Sequence, residues 1–343
     1  MYKFTIIAYA GENYSPDPLF KSLLAFPDPD LIQLIVTDAT ADALYRVYFE
    51  EAGRTGRIAV RYLACPGKNI AECYNLAIPE IKGEYTAFVD TDSEYSDTCL
   101  SRVRVVINSP EFTGKNYICV MPYFVGTDDE PLLYKICPRS GGSKDIRNNP
   151  SPVILCLYAY FIRTTLVCGM RFREDCPIDA RQMFILDLME KETVYYLAGK
   201  QSVFYRHALE NTTAFFTGSH EKVWYTDTLK HVYLPYIKER YERGELTLEQ
   251  EEAILYLIYA RFSCNMNQSD KKLLDEQEIR EFYEIVHELL RYIHYDVIVQ
   301  RKKLGHFTLP VWLVWDFMKN KARLCGDADG LVFSGGSMLM DIN

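Results

Sequence analysis

The sequence predicts an α/β protein: a mostly parallel central sheet flanked by helices, followed by an all-helical C-terminal region. Over the first ninety residues short apolar runs alternate with amphipathic stretches, the middle of the chain is rich in strand-like pieces, and beyond about Thr217 helix signals replace them. The 343 residues are 48% hydrophobic and 25% charged, the composition of an ordinary folded domain rather than a disordered or fibrous chain. The longest unbroken apolar run, residues 153–162, falls well short of the roughly 20 residues that a membrane-spanning helix needs.

Taken in order, residues 4–8, 31–36, 58–63 and 85–89 read as strands covered on both faces, with helices over 18–26, 41–53 and 69–81 between them. The first strand is too short and too weakly basic at its start to be a secretory leader. The middle offers strands at 117–123, 132–136, 153–162, 194–197 and 203–205 and one good helix at 179–191. A polar Gly- and Asn-rich loop over 139–152 lies among them. Farther on, Thr247 and Gln250 form a capping box for a helix to about Met266. Ser269 or Asp275 caps a longer helix ending near Gly305, and Pro310 and Gly326 bracket a last one. These signals divide the chain into an α/β domain at 1–216, a helical region at 217–326 and a tail at 327–343.

A net charge of -9, from 47 acidic against 38 basic residues, repels a phosphate backbone and argues against a nucleic-acid partner. The ten cysteines are scattered without a C-x-x-C pair, and Cys119, Cys156 and Cys168 sit in apolar surroundings. Reduced thiols in a cytoplasmic protein, without a disulfide framework or zinc site, are the expectation.

The sharpest chemical feature is Asp90-Thr91-Asp92, two carboxylates closing a buried strand. Ligands bind outside the carboxyl ends of strands in open α/β sheets. Two clustered acids there call for a cation between them, and Mg²⁺ or Mn²⁺ bridging a substrate diphosphate is the usual one. Alone, such a pair can equally cap the helix that begins near Ser96.

Other residues set that pair in a pattern. Asp38 and Asp42 follow the second strand, Asn75 lies in the third helix, and Gly83-Glu84-Tyr85 precedes the fourth strand. With these, the first hundred residues resemble the family-two glycosyltransferases, inverting enzymes of the GT-A fold that carry an Asp-x-Asp motif. Phe161-Ile162-Arg163-Thr164, Gly169 to Phe172, Ile178-Asp179 and Tyr205-Arg206-His207 extend the resemblance to about Phe216. The chain departs from the family pattern at Ala8, Gly11, Thr37 and Ile178, where the family has Pro, Asn, Asp and Glu.

The resemblance implies a UDP-sugar donor and a glycan or lipid-linked glycan acceptor. Ala8 and Tyr9 would wall the nucleoside, Asp38 would contact the uracil, and Asn75, Asp90 and Thr91 would complete the donor site. Asp92 and His207 would ligate the Mn²⁺ or Mg²⁺ on the diphosphate. The attacking hydroxyl must lose its proton, and Asp179 would accept it, with Asp175 or Glu174 as alternatives. Each has a plainer reading: Asp38 as a cap, Tyr9 as core, His207 as structural, Asp179 as a helix-terminal acid. A nucleotidyltransferase would want a Gly-rich basic loop after the first strand, where the sequence has Tyr9-Ala10-Gly11-Glu12. A non-catalytic glycosyltransferase-like subunit is the other alternative, with an oligomer or partner enzyme held through the C-terminal helices. Basic residues Lys302, Lys303, Lys319, Lys321 and Arg323 among Phe307, Trp312 and Trp315 fit either peripheral contact with an anionic membrane or packing in the core.

Overall fold

The computed structural model describes residues 2–12, 14–41, 43, 45–125, 141–147, 155–198, 203–207, 218, 220–263, 273–294, 297–298, 303–304 and 307–308; at 121–125, 203–207, 259, 263, 303–304 and 307–308 only the backbone is described. The strands in chain order are β1 (Phe4–Ala10), β2 (Ile32–Asp38), β3 (Ala59–Ala64), β4 (Tyr85–Asp90), β5 (Ser93–Tyr95), β6 (Tyr117–Cys119), β7 (Met121–Val125), β8 (Gly142–Asp145), β9 (Tyr160–Arg163), β10 (Val194–Leu197) and β11 (Val203–His207). Among the described residues the main sheet runs β3-β2-β1-β4-β9-β6-β10-β8, and β5-β11-β7 forms a smaller one.

Strands β3, β2, β1 and β4 are parallel, and β9 and β8 enter antiparallel. The first connections build outward from β1 through β2 to β3, and the chain then returns to lay β4 on the other side of β1. That reversal is a topological switch point, and in open α/β sheets ligands bind outside the carboxyl edge at such a point. The helices Asp17–Ala25, Arg46–Arg54 and Ile70–Ala77 are the connections, the last opened by a capping box between Asn69 and Glu72. Gly83 lets β4 lie close to β1. A Cβ there would sit 2.5 Å from the backbone nitrogen of Thr5, whose hydroxyl accepts the Gly83 N–H. The Gly-Glu-Tyr step is thus a packing requirement of the sheet.

The helical region begins at Lys222–Tyr225. Its main helices are Leu234–Arg243, Leu248–Ser263 and Glu276–Leu290, preceded by a π-helical turn at Leu229–Tyr233. The expected Thr247/Gln250 box and the Asp275 cap are both present. Three details differ from the sequence reading. Gly142–Asp145 is an edge strand rather than loop, because it pairs with β10 and an edge needs no apolar face of its own. Residues 157–159 form a 3-10 turn before β9, which shortens the strand expected over 153–162. The Asp275-capped helix stops at Leu290, and Lys303–Leu304 pairs antiparallel with Phe307–Thr308 where the helix was expected to continue to Gly305. Residues 132–136, Asp42, the boundary at 216–217, Ser269, the basic and aromatic residues beyond Thr308 and the tail all lie outside the described residues. No helix among the described residues is long and apolar enough to cross a membrane.

Candidate functional site

The strand register assembles the expected donor edge. Ala10 lies opposite Asp38, and Tyr9 lies between Thr37 on β2 and Asp90 on β4. The Thr91 N–H donates to the Tyr9 carbonyl at 3.0 Å, carrying the sheet one residue further. Tyr9 stands edge-on to Tyr14 and to Tyr74, each with ring centroids 6.3 Å apart. Burial, with the nearby Cys73 and Asp90 against an opposing Arg181, pushes its phenol up to about 12. An aromatic wall that stays neutral at physiological pH suits a nucleoside face. Ala8, in contrast, is enclosed between Val36 and Val89, and its carbonyl accepts the Thr37 hydroxyl at 3.3 Å. It belongs to the core rather than to the wall, because it lies two residues short of the edge.

Asp90 is fully buried and paired. Arg181, in the first turn of the Ala180–Lys191 helix, donates from Nη2 to its Oδ1, and the Tyr158 hydroxyl donates to Oδ2 at 2.8 Å. The same guanidinium also donates from Nη1 to the Tyr158 oxygen and from Nη2 to the Tyr74 oxygen at 3.1 Å. Its centre lies 4.5 Å from the Tyr158 ring centroid and 5.7 Å from that of Tyr74. Burial pulls the guanidinium down, while Asp90 and the two phenols more than offset it, so Arg181 is held as a cation. Its Nε finds no hydrogen-bond partner among the described residues.

Asp92 is buried beside this cluster, at 2% exposure. The Tyr45 phenol is raised first by burial, against a hydrogen bond to the Tyr14 carbonyl, and further by the charges of Asp38, Asp92 and Glu12. Thr91 Oγ1 and Ser93 Oγ are buried and make no hydrogen bond among the described residues. These two hydroxyls stand on either side of Asp92 in the sequence, where a polar group from outside the chain could bond them. β11 runs antiparallel to β5 with Arg206 opposite Ser93, which carries the His207 backbone to the level of Asp92; its side chain lies outside the described ones.

These donors fit a hard divalent cation. Among the described residues no three or more His, Cys, Asp and Glu side chains gather into a protein-only cage. A carboxylate with neighbouring hydroxyls, completed by substrate phosphate oxygens, is how Mg²⁺ and similar ions are usually held.

Asp38 and Asn75, expected as donor contacts, both make hydrogen bonds within the protein. Asp38 Oδ1 accepts the Thr40 N–H at 2.9 Å and the Thr40 hydroxyl, and Oδ2 accepts the Tyr45 N–H at 3.2 Å and the Tyr62 hydroxyl. Four donors fill a carboxylate's accepting capacity, so Asp38 shapes the turn after β2 and leaves no lone pair for a uracil N–H. The Asn75 amide donates to the Phe172 carbonyl and to Glu174 Oε1, each at 2.9 Å, and accepts the Phe172 N–H. It clamps the loop before the Ala180–Lys191 helix.

Asp179 is buried among residues of the helical region. Oδ1 accepts from Trp224 Nε1 at 3.1 Å, and Oδ2 accepts from the Tyr233 hydroxyl at 3.1 Å and from Arg261 Nη2 at 2.7 Å. Arg261 is itself fully buried, bonds the Trp224 and Leu257 carbonyls and lies 4.4 Å from the Trp224 ring centroid. Gly218 makes room, since a Cβ there would meet the Trp224 ring at 2.9 Å. Three donors leave about one accepting position on the carboxylate. The alternatives are tied as well: Arg173 grips Asp175 through two nitrogens and holds it below the usual carboxylate range, and Glu174 accepts from Asn75.

The sequence reading missed Arg181, Tyr158, Tyr62 and Arg261. Arg181 and Arg261 carried a usable signal: each is a charge set against a run of apolar residues, 183–186 in one case and 253–260 in the other. A cation buried that way needs a partner.

No family model matches the sequence. Over 287 residues it is 22% identical to the minor teichoic acid biosynthesis protein GgaB of Bacillus subtilis, a match that takes in 81% of this chain and 31% of GgaB. This chain therefore spans about a third of that curated relative. Among solved structures it is similar to S. aureus TarS, at 14% identity with a TM-score of 0.62, over 95% of this chain and 54% of TarS. Against residues 1–349 of TarS in complex with UDP-GlcNAc the TM-score is 0.65 at 14% identity, over 94% of this chain and 92% of the other. The α/β fold expected from the sequence, a central sheet flanked by helices with a helical C-terminal region, is shared with TarS; the sheet, expected to be mostly parallel, is mixed.

Proposed function

We propose that this chain is an inverting glycosyltransferase that moves a sugar from a UDP-sugar to a hydroxyl of a glycan or glycolipid, in the synthesis of a surface polymer of the teichoic-acid kind. The observation that carries the reading is the carboxyl edge at the switch point. There Tyr9, Asp90, Thr91 and Asp92 converge and two buried hydroxyls lack partners. The likeness to GgaB and to TarS, solved with UDP-GlcNAc, supports it.

In this reading Tyr9 faces the nucleoside, and Thr91 and Ser93 meet donor oxygens. Asp92, with His207 alongside, would hold Mn²⁺ or Mg²⁺. The cation supplies charge stabilisation for the departing diphosphate. Asp179 takes the acceptor proton through its remaining lone pair, while Arg261, Tyr233 and Trp224 fix its direction.

The test is a screen of UDP-sugars by thermal shift and by transfer, with Mn²⁺ and in excess chelator. UDP should stabilise the protein only with the cation, because the diphosphate and the carboxylates are all negative. Equal stabilisation in chelator overturns the metal role. Asp179→Asn should leave UDP affinity near the parent value and lower kcat by about a hundredfold or more. The three donors on Asp179 also favour a second reading, a nucleotide-binding subunit without catalysis. Unchanged donor turnover in Asp179→Asn would select another base, and nucleotide binding with no turnover of any UDP-sugar would select the subunit.

A further inference from the structure

We infer that Arg181 is the resident cation of Asp90, and that it reserves divalent-metal binding for the nucleotide-bound protein. The inference rests on the metal-assisted donor site proposed above and concerns Arg181, to which that reading gives no role. Both Asp90 oxygens are engaged, one by the guanidinium and the other by the Tyr158 hydroxyl, and the pair lies in a box of two tyrosine rings. With 0% of the Asp90 side chain and 9% of the Arg181 side chain exposed, solvent screens this attraction little.

A divalent ion approaching the nucleotide-free protein therefore meets Asp92 beside an ion pair of no net charge. Arg181 cancels the Asp90 charge, so the second acid of the motif adds no net attraction for an incoming cation. One carboxylate with hydroxyls is a weak site for a cation that is slow to shed water. A diphosphate changes the balance, because its oxygens provide further hard ligands and its negative charge supplies the attraction that Asp90 does not. Metal and nucleotide should thus bind as a unit, each poorly without the other. The unspent Arg181 Nε–H and the orphaned Thr91 and Ser93 hydroxyls are the protein groups left to satisfy when they arrive.

The experiment measures Mn²⁺ binding to the full chain without nucleotide, from the electron-spin-resonance signal of free Mn²⁺, with circular dichroism reporting the fold. Arg181→Gln removes the charge and releases Asp90, so Mn²⁺ should bind about tenfold tighter or more than in the parent, and Asp90→Asn in the same chain should abolish the gain. Arg181→Lys, which keeps the charge, should show little gain. Unchanged Mn²⁺ affinity in a folded Arg181→Gln variant overturns the inference. Should that variant not fold, the charge-neutral double variant Arg181→Gln with Asp90→Asn decides. An Mn²⁺ affinity within about twofold of the parent supports Asp90 as a non-ligand, and a tenfold loss makes it a direct ligand and overturns the inference. Adding UDP tests the donor reading separately. Failure of UDP to raise Mn²⁺ affinity in the parent removes that reading, while the nucleotide-free measurements still report on Arg181.

Discussion

Among the described residues two arginine–aspartate pairs are buried, and they occupy opposite kinds of surroundings. Arg181–Asp90 lies at the sheet edge beside hydroxyls that lack partners, whereas Arg261–Asp179 lies where the helical region meets the sheet domain and is closed by Trp224 and Tyr233. Desolvating an ion pair is costly in both places. Around the second pair every donor has a protein partner, which fixes Asp179 in place while leaving it about one accepting position; around the first, several polar groups have no partner among the described residues. Burial alone does not separate the two pairs, and completeness of the hydrogen bonding does.

The largest effect should come from breaking the anchor. Arg261→Met leaves Asp179 buried without its counter-ion and should lower stability by about 3–5 kcal/mol, read from urea unfolding. A loss below about 1 kcal/mol would show that the anchor is dispensable and erase the contrast.

A smaller effect separates the cost inside the helical region from its anchor. Glu249, in the first turn of the helix that carries Arg261, is buried, and burial first, then Glu252, Asp145 and Glu251, push its carboxyl up to about 7. The folded state then holds a proton that the unfolded state releases near pH 4.5, so stability falls as pH rises from about 4.5 to about 7. Glu249→Gln should flatten that fall and raise Tm at neutral pH. Parallel pH–Tm curves for parent and variant would remove Glu249 as its source.

The smallest effect sharpens the other side. Thr91→Val removes a hydroxyl with no described partner, so the fold should be unchanged or firmer by about 1 kcal/mol while UDP binds more weakly. Thermal unfolding and titration of one preparation check both. A stability loss with unaltered UDP affinity would turn Thr91 into a structural residue.

What was legible in the sequence follows from the range of the interactions involved. β1 to β4 and the helices between them were readable because their apolar runs and caps are local, and Asp90-Thr91-Asp92 because a strand end is local too. Two of the expected site residues have distant partners that the sequence does not show. Asp38 is filled partly by Tyr62 on the neighbouring strand, and Asn75 is filled by a loop 97 positions away. Residue type shows that a carboxylate or amide can accept a ligand; only the fold shows whether something else has already bonded it. Arg181 and Arg261 escaped for the converse reason, since their acids stand 91 and 82 positions distant.

The grip of Trp224, Tyr233 and Arg261 on Asp179 bears on how chains of this kind could be cut and recombined. The boundary near residue 217 is a change in composition, yet it is not a seam along which the parts come away. A sheet domain expressed without its helices would expose a carboxylate shaped for three absent donors. A chimaera that exchanged helical regions between relatives would need to import all three donors together, in register with the residue that follows Ile178. Recombination at this junction is therefore limited to pairs of parents that share this lock, however freely the outer faces of the helices diverge.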